Sequence, residues 1–261
     1  MEIGASTSNF YPEPLEDALD RVLAAGFRNV EIFFNAPSEV TPAFVSELKK
    51  RVDDAGAVVS AVHPYSSFME PFFLFSPYER RVTDGFAMYE PMFEAAAMLG
   101  APLLVLHGAK DLGQLSRAQL VGRYEALYRL GASYGVHTAQ ENVVKFCSED
   151  PAYLQELQAL MGDRMRFVFD FKQTGRCGLD PAHVMDVMGG NIAHVHISDR
   201  DGTRDCLPPG QGEREYLPLL RRLKSLGYDG VLMMELYRQN FGDANDLIRA
   251  REFLKEITCL L

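Results

Sequence analysis

The sequence predicts a single-domain (β/α)8 barrel spanning residues 1–261, on three observations. A short apolar strand, a polar loop and an amphipathic helix recur eight times; several of the helical stretches stop at a glycine; and 261 residues is an ordinary size for such a barrel. Alternation of strand and helix implies a parallel sheet with helices packed over it.

The units follow one another along the chain. Glu2–Ser6 is the first strand and the helical pattern over 14–25 stops before Gly26; Asn29–Phe33 and 42–55 follow, closed by Gly56. Val58–His63 leads to the long pattern 79–99 and Gly100, and Pro102–His107 leads to 116–134 and Gly135. Val136–Glu141 pairs with 150–161, Met165–Phe171 with 181–188, Ile192–Ser198 with 214–226 and Gly227, and Gly230–Glu235 with 244–258. Glycine suits these stops because a helix commonly ends on a left-handed residue. A doubly wound open sheet is the competing architecture. Its first turn would be rich in glycine, and here that turn reads Ser6-Thr7-Ser8-Asn9-Phe10. No linker or low-complexity stretch interrupts the pattern.

Composition narrows the partners. Hydrophobic residues make up 47% and charged residues 24%, ordinary for a globular chain with a sizeable core. A formal net charge of −10 disfavours a nucleic acid. No secretory signal opens the chain and no apolar run approaches the roughly 20 residues of a membrane helix. Cys147, Cys177, Cys206 and Cys259 are scattered without a C-x-x-C pair, which predicts reduced thiols and a cytoplasmic protein.

Two connections are long. Pro64–Pro77 carries Tyr65, Phe68, Phe72, Phe73 and Phe75, and Asp199–Gly212 follows the seventh strand. Both belong at the C-terminal mouth of the strands, where barrels build their sites. The aromatic loop 64–77 is expected either to stack on a ligand and exclude water or to bury its rings in a homo-oligomer interface.

The strand ends carry the chemistry. Strands five to eight finish on Glu141, Asp170, His196 and Glu235, and strands three and four on His63 and His107. Period-two alternation sets Glu235 on the side of Met233 and Val231, and His107 on that of Val105 and Leu103, both apolar enough for a barrel interior. Three carboxylates meeting in a poorly solvated space repel one another, and a bound divalent cation removes the conflict. Such an oxygen-rich set suits one Mn, Mg, Co or Zn ion. Histidines such as His63 and His107 are more often hydrogen-bonded neighbours than ligands, and His194, deeper in its strand, reads as a hydrogen-bonded core residue.

At these positions the chain resembles the sugar phosphate isomerase/epimerase family of xylose isomerase-like barrels, over nearly its whole length. The marks are Glu141-Asn142, Asp170, the run His194-Val195-His196-Ile197-Ser198-Asp199, the turn Pro209-Gly210-Gln211-Gly212, and Tyr228-Asp229-Gly230 followed by Glu235. The resemblance implies that Glu141, Asp170, His196 and Glu235 bind the metal, that Glu141 and Glu235 double as an acid/base pair, and that His63 and His107 line the pocket. It also implies a small sugar substrate, transformed by proton transfer through an ene-diolate, with dehydration of a cyclic polyol or keto-acid as the alternative. Asp170 is followed by Phe171-Lys172-Gln173 where relatives often carry a histidine three residues on, and Asp205-Cys206 stands where the endonuclease branch has an Asp-x-His pair. These departures weigh against a three-metal phosphodiesterase and leave a one-metal sugar site intact, with Lys172 and Gln173 beside the substrate. A sugar-binding barrel without catalysis is the remaining alternative.

Overall fold

Strands that are apolar on both faces need cover on both, and eight of them satisfy this by closing into a ring with helices outside. The computed structural model, which describes residues 1–110 and 115–261, has that form: β1 (Glu2–Ser6), β2 (Asn29–Phe33), β3 (Val58–His63), β4 (Leu103–Leu106), β5 (His137–Glu141), β6 (Phe167–Asp170), β7 (Ile192–Ile197) and β8 (Val231–Met234) run parallel in sequence order. Ala5 of β1 pairs with Val30 on one side and Met234 on the other, which closes the barrel and excludes the open sheet. The principal outer helices are Leu15–Ala24, Pro42–Asp54, Glu79–Leu99, Arg117–Ser133, Pro151–Met161, Pro181–Met188, Tyr216–Ser225 and Ala244–Thr258. The five glycines expected to end helices all have positive φ, between 61° and 90°.

Alternation divides the core in two. Leu104 and Leu106 of β4 pack into the large cluster shared with the helices, whereas Leu103 and Val105 join Ala61, Ala139 and Val168 in a small inner cluster. These inner side chains are short or branched and leave the polar strand ends above them as the next layer.

Several expected boundaries move. β6 stops at Asp170, because Asp170 Oδ1 accepts the backbone N–H groups of Lys172 at 2.5 Å and Gln173 at 3.2 Å and thereby starts a short helix, Phe171–Arg176. His107 and Glu235 lie one residue beyond β4 and β8. Pro64–Pro77 is not a plain loop: it contains a 3-10 turn, Ser67–Met69, and a short helix, Glu70–Phe73. Among the described residues, no helix is long and apolar enough to cross a membrane.

Candidate active site

Four side chains from four successive strands meet at the mouth. Glu141, Asp170, His196 and Glu235 each offer one ligand atom, and these atoms lie within 4.8 Å of one another. His196 Nδ1 stands 3.4 Å from Glu141 Oε1, 3.7 Å from Glu235 Oε2 and 3.9 Å from Asp170 Oδ2. Three of the four residues are almost wholly buried, and Glu235 retains 14% side-chain exposure.

Local bonds fix each position. Asn142 accepts the Asp170 N–H at 2.7 Å and donates to the Asp170 carbonyl at 3.1 Å, stapling β5 to β6 just where the two acids emerge. Asp170 commits Oδ1 to the helix cap, while buried Oδ2 has no hydrogen-bond partner among the described residues. A buried carboxylate oxygen that accepts no hydrogen bond and is met only by the Lys172 ammonium at 3.2 Å, close to three other ligand atoms, fits a cation. His196 is held from behind: Glu31 Oε2 lies 2.9 Å from its Nε2 and 3.1 Å from His194 Nε2, leaving Nδ1 to face the acids.

The electrostatics are those of a crowded, buried cluster. Burial pushes the Asp170 carboxyl up to about 7; Lys172 opposes that rise, and the charges on Glu141 and Glu235 add to it. Burial also works against ionised Glu141, but the His107 and His196 rings hold that carboxyl well below the usual range. Glu235 is likewise lowered against burial, by Lys172 and His196. The positive partner is Lys172, itself buried, with Nζ 2.7 Å from Glu235 Oε2 and 3.2 Å from Asp170 Oδ2.

The flanking residues differ in what they offer. His107 Nε2 lies 3.2 Å from Glu141 Oε2, and its side chain is 21% exposed. His63 is 4.0 Å from the same oxygen, stacks on Phe33 at 4.5 Å and keeps Nδ1 near Ser67 Oγ. Burial brings His63 down to about 4, which leaves it neutral at physiological pH. Among the described residues, His63, His107 and Glu141 form a second group with metal-ligand geometry, and Glu31, His194 and His196 a third. Gln173 is buried with its amide oxygen accepting the Val144 N–H at 3.2 Å, so the structure turns that part of the side chain toward the β5 loop.

Beyond Glu235 a cleft of about 440 Å³ opens between the loops after β6, β7 and β8, lined by Lys172, Arg176, Arg200, Arg214 and Tyr237 among others. Arg176 is bound to Asp205 at 2.5 Å and to the Tyr237 hydroxyl at 2.8 Å, and Arg200 donates to the Gly175 carbonyl at 3.1 Å. Asp199 organises this rim by accepting the N–H groups of Arg200, Gly210, Gly212 and Arg214. A Cβ on Gly212 would stand 2.5 Å from Asp199 Oδ1, which accounts for the second glycine of the Pro-Gly-Gln-Gly turn.

Strand ends alone did not reveal Glu31 or Glu70. Glu31 sits in the middle of Asn29-Val30-Glu31-Ile32-Phe33, fully buried. A charged residue within so apolar a strand was the available signal. Glu70, fully buried in the short helix, accepts from Tyr89 Oη at 2.6 Å and Gly108 N at 2.5 Å, pinning the 64–77 segment to the end of β4.

The sequence profile of the xylose isomerase-like TIM barrel family matches residues 19–257. The chain belongs to that family. Among solved structures it is similar to a D-tagatose 3-epimerase-like protein, with 22% identity and a TM-score of 0.82 over 100% of this chain and 98% of the other. It is also similar to an Escherichia coli 3-keto-D-glucoside 4-epimerase, with 18% identity and a TM-score of 0.77 over 98% and 99%. Sequence relatives include an uncharacterised protein of Methanocaldococcus jannaschii, 23% identical over 98% of this chain and 89% of its own length. An inosose dehydratase of Clostridium perfringens is 23% identical over 94% and 90%.

Proposed function

We propose that the protein is a divalent-metal-dependent isomerase or epimerase of a small sugar or sugar derivative. In this reading Glu141, Asp170, His196 and Glu235 hold one Mn, Mg, Co or Zn ion. The observation that carries it is the convergence of these four donors at the barrel mouth, with the buried Asp170 Oδ2 lacking a hydrogen-bond partner among the described residues. The similarity of the fold to sugar epimerases supports the same class of chemistry.

A proton next to a sugar carbonyl is weakly acidic, and its removal leaves charge on the oxygens of an ene-diolate. A divalent ion at this site would supply Lewis-acid stabilisation of that charge. The chain's own residues supply the proton transfers. Glu141, kept ionised by His107 and His196, and Glu235, kept ionised by Lys172 and His196, are both able to act as bases. One carboxylate takes the proton and the other returns it, to the opposite face of one carbon in epimerisation or to the neighbouring carbon in isomerisation. His63, His107 and Lys172 lie beside the acids and, with Gln173, are assigned to substrate hydroxyl groups.

Dehydration of a cyclic polyol or keto-acid is a second reading, favoured by the inosose dehydratase relative and needing the same acids. The net charge of −10, Gln173 and Cys206 give less support to an endonuclease-like phosphodiesterase. We place the protein in the cytoplasm on its scattered cysteines. A second copy covering Phe68 and Phe72 is proposed as its protein partner, because these rings are 68% and 49% exposed.

The test is metal analysis of the purified protein, followed by a ketose and cyclitol panel in deuterium oxide read by NMR and mass spectrometry. Deuterium is expected at a carbon next to the carbonyl. Glu141→Gln and Glu235→Gln are each expected to lower turnover at least about 100-fold. A metal-loaded protein that exchanges and dehydrates nothing, and whose ligand binding ignores both substitutions, leaves only a sugar-binding barrel.

A further inference from the structure

We propose that Lys172 is a built-in counter-cation of the metal centre, whose ammonium gives way when a divalent ion enters. The inference rests on the metal-dependent reading above.

A lysine is seldom buried without anionic partners. Lys172 is only 8% exposed, and its partners are the two acids that reach the ion site from β6 and β8. The overlap is at the level of atoms. Asp170 spends Oδ1 on two backbone N–H groups, so Oδ2 is the oxygen left for an ion, and Lys172 Nζ stands 3.2 Å from it. Glu235 Oε2 belongs to the same ligand group and lies 2.7 Å from the ammonium. A divalent ion and an ammonium drawing on the same two oxygens repel each other in a poorly solvated space.

The lysine cannot withdraw far, since its backbone N–H is part of the Asp170 cap. Its ammonium does have somewhere to go. Nζ lies 5.7 Å from the Tyr237 ring, and Lys172 and Tyr237 both line the 440 Å³ cleft that opens beyond Glu235. Displaced that way, it gives up its carboxylate partners, keeps the ring it already approaches beside the Arg176 guanidinium at 5.4 Å, and presents its charge to the cleft. Without an ion, the same ammonium offsets part of the cost of burying three acids together.

Calorimetric titration of chelator-stripped wild type, Lys172→Met and Asp170→Asn with manganese chloride tests this, alongside melting temperatures of the metal-free proteins. Lys172→Met is expected to bind manganese at least tenfold more tightly than wild type, while its metal-free form melts at a lower temperature. Should Lys172→Met fail to fold, Lys172→Gln gives the same comparison with a neutral side chain of similar length. Unchanged or weaker manganese binding in the neutral variant overturns the proposal while leaving the metal centre in place. Equal binding by wild type and Asp170→Asn, or none by any variant, overturns the metal centre and this proposal together.

Discussion

Glu31 reaches both histidines of β7 through one oxygen, and that single atom sets which nitrogen of His196 faces the acids. Burial opposes charge on His196, but Glu31 and then Glu235 hold its pKa well above the ordinary histidine value. Glu31→Gln keeps the shape and removes the charge that orients and polarises the ring. Manganese affinity is expected to fall 10- to 100-fold, as read by calorimetry; an unaltered isotherm would remove Glu31 from any positioning role. At this scale the acids were legible because Glu141 and Asp170 end β5 and β6 and Glu235 directly follows β8. Glu31 was not, because it lies mid-strand and a single strand says nothing about its height in the barrel. Strands in a closed barrel tilt and stagger, so the middle of β2 stands level with the end of β7.

At the scale of elements, Glu70 ties the segment after β3 to the end of β4. Burial raises the Glu70 carboxyl to about 7, against lowering contributions from His107, Tyr89 and Gly108. The folded chain thus keeps a proton that the unfolded chain releases near its ordinary value of 4.5. Stability from this group is full below about 4.5 and is lost as pH rises towards 7. Glu70→Gln retains an acceptor for Gly108 and carries no charge, so it escapes that loss. Urea unfolding is expected to show wild type and Glu70→Gln alike at pH 5, and the variant more stable by about 2–3 kcal/mol at pH 8. A gap that does not widen with pH would mean that Glu70 finds solvation in solution. The short helix holding Glu70 was hidden in the sequence by its length, since four residues carry no readable helical period. Phe171–Arg176 was hidden for another reason: Phe171 continues the apolar run of β6, and the turn is imposed by the Asp170 cap.

For the whole molecule, the architecture was legible because the repeat of strand and helix is long and regular. β1, β2 and β3 fall on the expected residues. Ring closure between β1 and β8 is a property of all eight strands together, and only the count of units pointed to it. The proposed pairing of two copies rests on rings that the fold leaves uncovered. Phe75 turns inward onto Tyr124 at 4.8 Å, while Phe68 and Phe72 from the same segment face outward. Sedimentation at micromolar concentration is expected to give a dimer for wild type and a monomer for Phe68→Ser combined with Phe72→Ser. A monomeric wild type would return these rings to the substrate side of the mouth.

In the proposed metal site, the bonding of Asp170 would also limit which ions the pocket serves well. With one oxygen bound into the chain, this acid can offer a cation a single point of attachment. Calcium collects six to eight oxygens and often grips a carboxylate by both. It would find too few here, whereas smaller transition ions that accept an imidazole nitrogen would not. In the proposed metal site, a bond made to start a helix would thereby act as a filter on ionic radius.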